Sequence, residues 1–167
     1  MLLLVISLCT ASCSDWLDVS PSNQVNGDKL FEIGDGYRNA LNGIYLNLGT
    51  SSMYGQTMSW GFMDAIAQYY KTDNGSNFIP KTSAYYKSAK FQFEDSDVKT
   101  FISNIWSVSY NNIANCNNLI LNVSEASPSV FKEGEFEKNM IWGEALALRA
   151  FMHFDLLRLF APAISKD

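Results

Sequence analysis

A single histidine, three cysteines and four prolines serve a chain of 167 residues, and its lysines and arginines never cluster. Each scarcity excludes something. A nucleic-acid partner needs a basic footprint. Net charge here is −5 and Lys29 is the first basic residue, so that class is set aside. His153 lies between Met152 and Phe154, with no H-E-x-x-H motif and no cysteine at metal spacing. It reads as a packing or surface residue, and it implies no metal site. Cys9 and Cys13 both fall in the first thirteen residues, so Cys116 is left without a partner for an internal disulfide. It stands in a helical apolar pattern and reads as a small buried hydrophobe. No apolar run has transmembrane length. What is abundant is apolar side chain, 47% of the sequence, enough for a packed core and too much for wholesale disorder.

The chain opens on Leu2-Leu3-Leu4-Val5-Ile6-Ser7-Leu8, then Thr10-Ala11-Ser12 and Cys13. A short apolar stretch ending in small residues is a secretory signal, here residues 1–12. The cysteine directly after it resembles that of a bacterial lipobox, although Thr10 stands where that pattern prefers leucine. An ordinary signal peptide with an incidental cysteine is the alternative. Acylation of Cys13 would tether the protein to membrane lipid without a spanning helix. Residues 13–27 are polar and broken by Pro21, as in a flexible tether. Asp15 and Asp18 resemble the surface-export signal of Bacteroidetes lipoproteins.

Residues 28–167 form the domain, and their patterning predicts an all-α fold. Leu30, Phe31, Ile33, Tyr37, Leu41, Ile44, Tyr45 and Leu48 recur at three- and four-residue steps over 28–48. Gly34-Asp35-Gly36 interrupts this run, and Asp35 is placed to cap the longer helix after it. The glycine pair lacks the third glycine of a dinucleotide loop and comes after no strand, so no cofactor is implied. A long helix is expected over 97–123, with Val98, Ile102, Ile105, Ile113, Cys116, Ile120 and Val123 on one face. Five asparagines at 111, 112, 115, 117 and 118 are poor helix formers and need tertiary contacts to stay there. Glu133, Glu135 and Glu137 suit the positive end of a second long helix. It runs through Ile141, Ala145, Leu148, Met152, Leu156 and Leu159 until Pro162 stops it. The two helices make an antiparallel hairpin. Residues 49–95 differ in kind. They are rich in Gly, Ser, Asn and Thr yet carry ten aromatics, with a helical stretch expected only near 62–67. Such a segment either folds down as a core flap or exposes rings to a ligand.

The segment from Gly143 through Glu144-Ala145-Leu146-Ala147-Leu148-Arg149-Ala150-Phe151-Met152-His153-Phe154-Asp155 to Pro162 closely resembles the hallmark of the SusD/RagB family of outer-membrane lipoproteins. Trp106, Tyr110, Ile113 and Asn117 match the spacing of that family's preceding helix. The resemblance covers essentially the whole chain. It implies helix pairs similar to tetratricopeptide repeats, in which Ala150 admits a paired helix and Phe154 fills the gap. Glu144 and Arg149 sit five apart and cannot pair on one helix face, so each is expected to bond a neighbouring helix. Family members run to several hundred residues, so the chain is expected to be a truncated N-terminal portion.

The resemblance implies capture of an oligosaccharide at the outer membrane and its delivery to a SusC-like TonB-dependent transporter. A sugar offers an apolar C–H face to an aromatic ring and hydroxyls to amides and carboxylates. The candidate contacts are Trp60, Tyr69, Tyr70, Tyr85 and Tyr86, with Asp73, Asn74 and Asn77 as polar partners; packing against the helices is the alternative for each ring. A RagB-like peptide receptor is the second reading and a surface glycoside hydrolase the third. The hydrolase needs two carboxylates straddling a bond, and the spacing of Asp64, Asp73, Glu94, Asp95 and Asp97 selects no pair. No catalytic residue is therefore assigned. Asp73-Asn74-Gly75-Ser76-Asn77 lacks the alternating acids of a calcium loop and reads as a solvated turn.

Overall fold

The computed structural model describes residues 27–70 and 79–162, all helix and turn, with no strand among the described residues. A four-residue turn of helix, α1 (Gly27–Leu30), leads into α2 (Gly34–Leu48). Short helices α3 (Phe62–Ile66) and α4 (Ala84–Ala89) come next. The long pair is α5 (Ser96–Glu125) and α6 (Gly134–Phe160), joined through a 3-10 turn at Pro128–Val130. The expected helical hairpin is thus present, a residue or two longer than its periodicity suggests. None of the described helices is long and apolar enough to cross a membrane.

Three helices share one core. Tyr37, Leu41, Ile44 and Leu48 of α2 meet Val98, Ile105, Ile113, Cys116, Leu119 and Val123 of α5, and Ile141, Ala145, Met152 and Leu156 of α6. Cys116 is fully buried, and burial raises its thiol pKa, so it packs as a neutral hydrophobe. Gly36 makes the α1–α2 junction possible, because a Cβ there would collide with the Leu30 carbonyl. The asparagine ladder is held as its composition requires. Buried Asn112 donates to the Val108 carbonyl at 2.9 Å and accepts from Asn47 of α2 at 3.2 Å. Arg149 Nη1 reaches Asn117 Oδ1 on α5 at 2.9 Å, while Tyr45 of α2 donates to Glu144 at 2.8 Å. Both hallmark polar residues therefore bond across helices.

Three local expectations change. Asp35 does not cap α2. Ile33 occupies that position without a side-chain cap, and Asp35 lies in the first turn, paired with Lys132 at 2.7 Å. Helix α4 arises where only loop is expected; Ser83 nucleates it by accepting from the Tyr85 N–H. Ala150 and Phe154 do not face a paired helix. Phe154 is 60% and Leu157 63% exposed, because α6 turns its Ile141–Ala145–Met152–Leu156 stripe toward α5 and leaves the opposite face bare.

Candidate functional site

Residues 49–61 descend from the end of α2 as tight turns, not loose coil. Tyr54 N–H bonds the Leu48 carbonyl at 3.0 Å, Met58 N–H that of Met53 at 2.8 Å, and Gly61 N–H that of Gln56 at 2.8 Å. Met53, Met58 and Phe62 drop into the core and fix this segment from below. Tyr54 fixes it from the side. Its hydroxyl donates to Asp155 of α6 at 2.6 Å, and Arg158 holds the other carboxylate oxygen at 2.7 Å. Burial, and then the bond to Asp155, push the Tyr54 phenol well above its ordinary pKa. Phe62 and Tyr54 thus fold down on the core, whereas Trp60, Tyr69, Phe91 and Phe93 stay exposed.

Three of the rings, Trp60, Tyr70 and Tyr85, gather beside α3 and α4. Gln68 adopts a left-handed backbone (φ 62°), and its amide bonds the Ala89 carbonyl at 2.7 Å, tying the two short helices together. Trp60, Gly61, Tyr70, Ile79 and Tyr85 line a concavity of about 220 Å³. The Tyr70 hydroxyl donates to the Trp60 carbonyl. Gly61 keeps the floor low, since a Cβ would lie 2.8 Å from the Gln56 carbonyl oxygen. Tyr85 is fixed twice: Gln56 Nε2 donates to its hydroxyl at 2.8 Å, and Phe101 stacks on its ring at 5.2 Å. Trp60 remains 57% exposed at the rim.

Of the candidate ligand contacts, Trp60, Tyr70 and Tyr85 are brought together. Tyr69 is 78% exposed and stands outside that lining. Tyr86 is half-buried, with Lys90 Nζ 5.6 Å above its ring. Asp73, Asn74 and Asn77 lie outside the described residues. Gly61 and Ile79 join the lining without any local signal in the sequence.

Glu94, Asp95 and Asp97 are engaged in ion pairs, and Asp73 lies outside the described residues. Glu94 pairs with Lys99 at 2.7 Å, and Lys87 bridges Asp95 and Asp97 at 2.9 and 3.0 Å. Hydrogen bonds from Lys99 and Lys87 hold the Glu94 and Asp95 carboxyls below their ordinary pKa, the opposite of what a general acid requires. His153 sits on the surface with its ring edge-on to Tyr110 at 6.5 Å. Among the described residues no group of three His, Cys, Asp or Glu could hold a metal ion.

A family model, SusD-like, described as starch-binding and associating with the outer membrane, matches residues 15–167. The chain belongs to the SusD-like family. Membership in the SusD-like family makes it a glycan-binding protein associated with the outer membrane, from a family of binding proteins and not of enzymes. The match spans the aromatic concavity and both long helices, so the hairpin and the rings belong to one SusD-like unit. No curated protein and no solved structure matches this chain.

Proposed function

We propose that this SusD-like chain captures oligosaccharides at the cell surface and passes them to a SusC-like TonB-dependent transporter, without covalent chemistry. Residues 1–12 are the export signal, Cys13 carries the lipid, and 13–27 let the domain stand off the membrane. The observation that carries the ligand class is the concavity of Trp60, Tyr70 and Tyr85. Rigid rings held at fixed angles suit the flat C–H face of a pyranose and lose little entropy on binding. Affinity per ligand need only be modest, because a tethered receptor keeps local concentration high beside its transporter.

Titration of the mature chain with maltooligosaccharides, with product analysis of the same mixture, tests this reading. Saturable binding with the sugar recovered intact is expected, and Trp60→Ala should weaken it by about 10-fold or more, the scale of one lost aromatic contact. Release of reducing ends by the purified chain would instead make it a hydrolase. Co-purification with a TonB-dependent barrel from outer membranes tests the delivery step.

A further inference from the structure

The concavity at Trp60 has a more polar neighbour. A second recess of about 190 Å³ is lined by Ser51, Ser52, Gln56, Thr100, Phe101 and Asn104, and by Tyr85 itself. Tyr85 lines both. Held by the Gln56 amide and the Phe101 ring, it is a wall common to the two.

We infer that these two recesses are adjoining subsites for an uncharged oligosaccharide, one ring stacking in the Trp60 concavity and the next hydrogen-bonding its hydroxyls in the Ser52–Asn104 recess. This deepens the glycan-capture reading and rests on it. Four observations carry it. Each recess is smaller than the roughly 300–1,000 Å³ of a pocket for a drug-sized ligand, so each suits a single ring. The first presents aromatic and aliphatic surface, and the second presents hydroxyls and amides, the two chemistries a chain of sugars needs in alternation. The described lining of both recesses is uncharged, which suits a neutral sugar better than a uronate, a sulfate or a charged peptide end. The second recess also has unspent hydrogen-bonding capacity. The Asn104 side-chain amide donates to no protein group among the described residues. Thr100 Oγ1 donates to the Ser96 carbonyl and accepts from no side chain among the described residues.

Calorimetric titration of the mature chain tests this with length ladders of neutral α-glucan, β-glucan, mannan and xylan oligosaccharides, beside oligogalacturonate as the charged arm. Affinity for at least one neutral ladder should rise from one sugar unit to two or three. Asn104→Ala and Thr100→Val, both at solvent-exposed positions, should each lower the longer ligands by about 3–10-fold, one hydrogen bond's worth. They should leave the single sugar unchanged, with circular dichroism confirming the fold. Affinity should stay level between pH 5 and 8, since no carboxylate or imidazole among the described residues lines the recesses. If both variants bind every length like the parent chain while Trp60→Ala loses binding, the second subsite is wrong and glycan capture stands. Binding of oligogalacturonate as tight as any neutral ladder removes the uncharged specificity. If no saccharide of any class binds, both the subsites and the capture reading fall.

Discussion

Glu137 is fully buried and ionised, and its neighbours explain why. It accepts from the Glu133 N–H at 3.1 Å and from Arg38 at 2.5 Å, so it closes the start of α6 and ties that start to α2. The backbone bond first, then the guanidinium, pull its carboxyl below the ordinary 4.5. A folded-state pKa below the unfolded one gives stability that is complete above 4.5 and lost as pH falls through the folded value. Thermal melts of Glu137→Gln should therefore show a shallower acid-side decline than the parent, and a lower Tm near neutrality. Glu94 contributes a smaller acid-side slope through Lys99, and salt should screen that part because the pair is exposed. The clustering of Glu133, Glu135 and Glu137 was legible as a helix start. Nothing local could reveal that the third of them is buried, because its partner Arg38 is ninety-nine positions away.

At the scale of elements, α5 and α6 differ in how openly they declare themselves. Helix α5 has one apolar stripe and one polar flank, so its 3.6-residue period predicts the buried set almost as found. Helix α6 is apolar on both sides. Phe136, Met140, Phe154 and Leu157 are exposed on one, and Ile141, Ala145, Met152 and Leu156 are buried on the other. The run read from the sequence through Ile141, Ala145, Leu148, Met152, Leu156 and Leu159 is the side that packs. The repeat signature at Ala150 and Phe154 pointed to the face that α5 does not cover. Met152→Ala should cost about 2–5 kcal/mol in chemical denaturation, from lost burial and the cavity left behind. Phe154→Ser should stay within about 0.5 kcal/mol of the parent, as exposed positions usually do. Equal costs would mean that both faces are packed in solution. Gly36→Ala should resemble the first case, since a methyl has no room beside the Leu30 carbonyl. Helix α4, only six residues long, was hidden because so short an element has no full apolar period; its Ser83 cap was the only local cue.

On the scale of the whole molecule, function depends on where the domain is held. Cell fractionation followed by intact-mass measurement should find the parent chain in the outer membrane with acyl mass on Cys13. The Cys13→Ala chain should be recovered in the soluble fraction at its bare polypeptide mass, with the helical domain still folded. An unmodified Cys13 in the parent, recovered soluble, would remove the tether and with it the rationale for modest affinity.

The lengths of the two long helices, the all-α class, the cross-helix role of Glu144 and Arg149 and the family itself were all determined by sequence. Each is written in short-range spacing or in a contiguous motif. Only the tertiary structure decided that Phe154 and Leu157 of α6 lie outside, and that Trp60, Tyr70 and Tyr85 meet while Tyr69 stands apart. It also placed Asn104 of α5 one ring away from an aromatic concavity. Those outcomes depend on how turns and helix ends bring together residues ten to fifty positions distant, and no local pattern encodes such encounters.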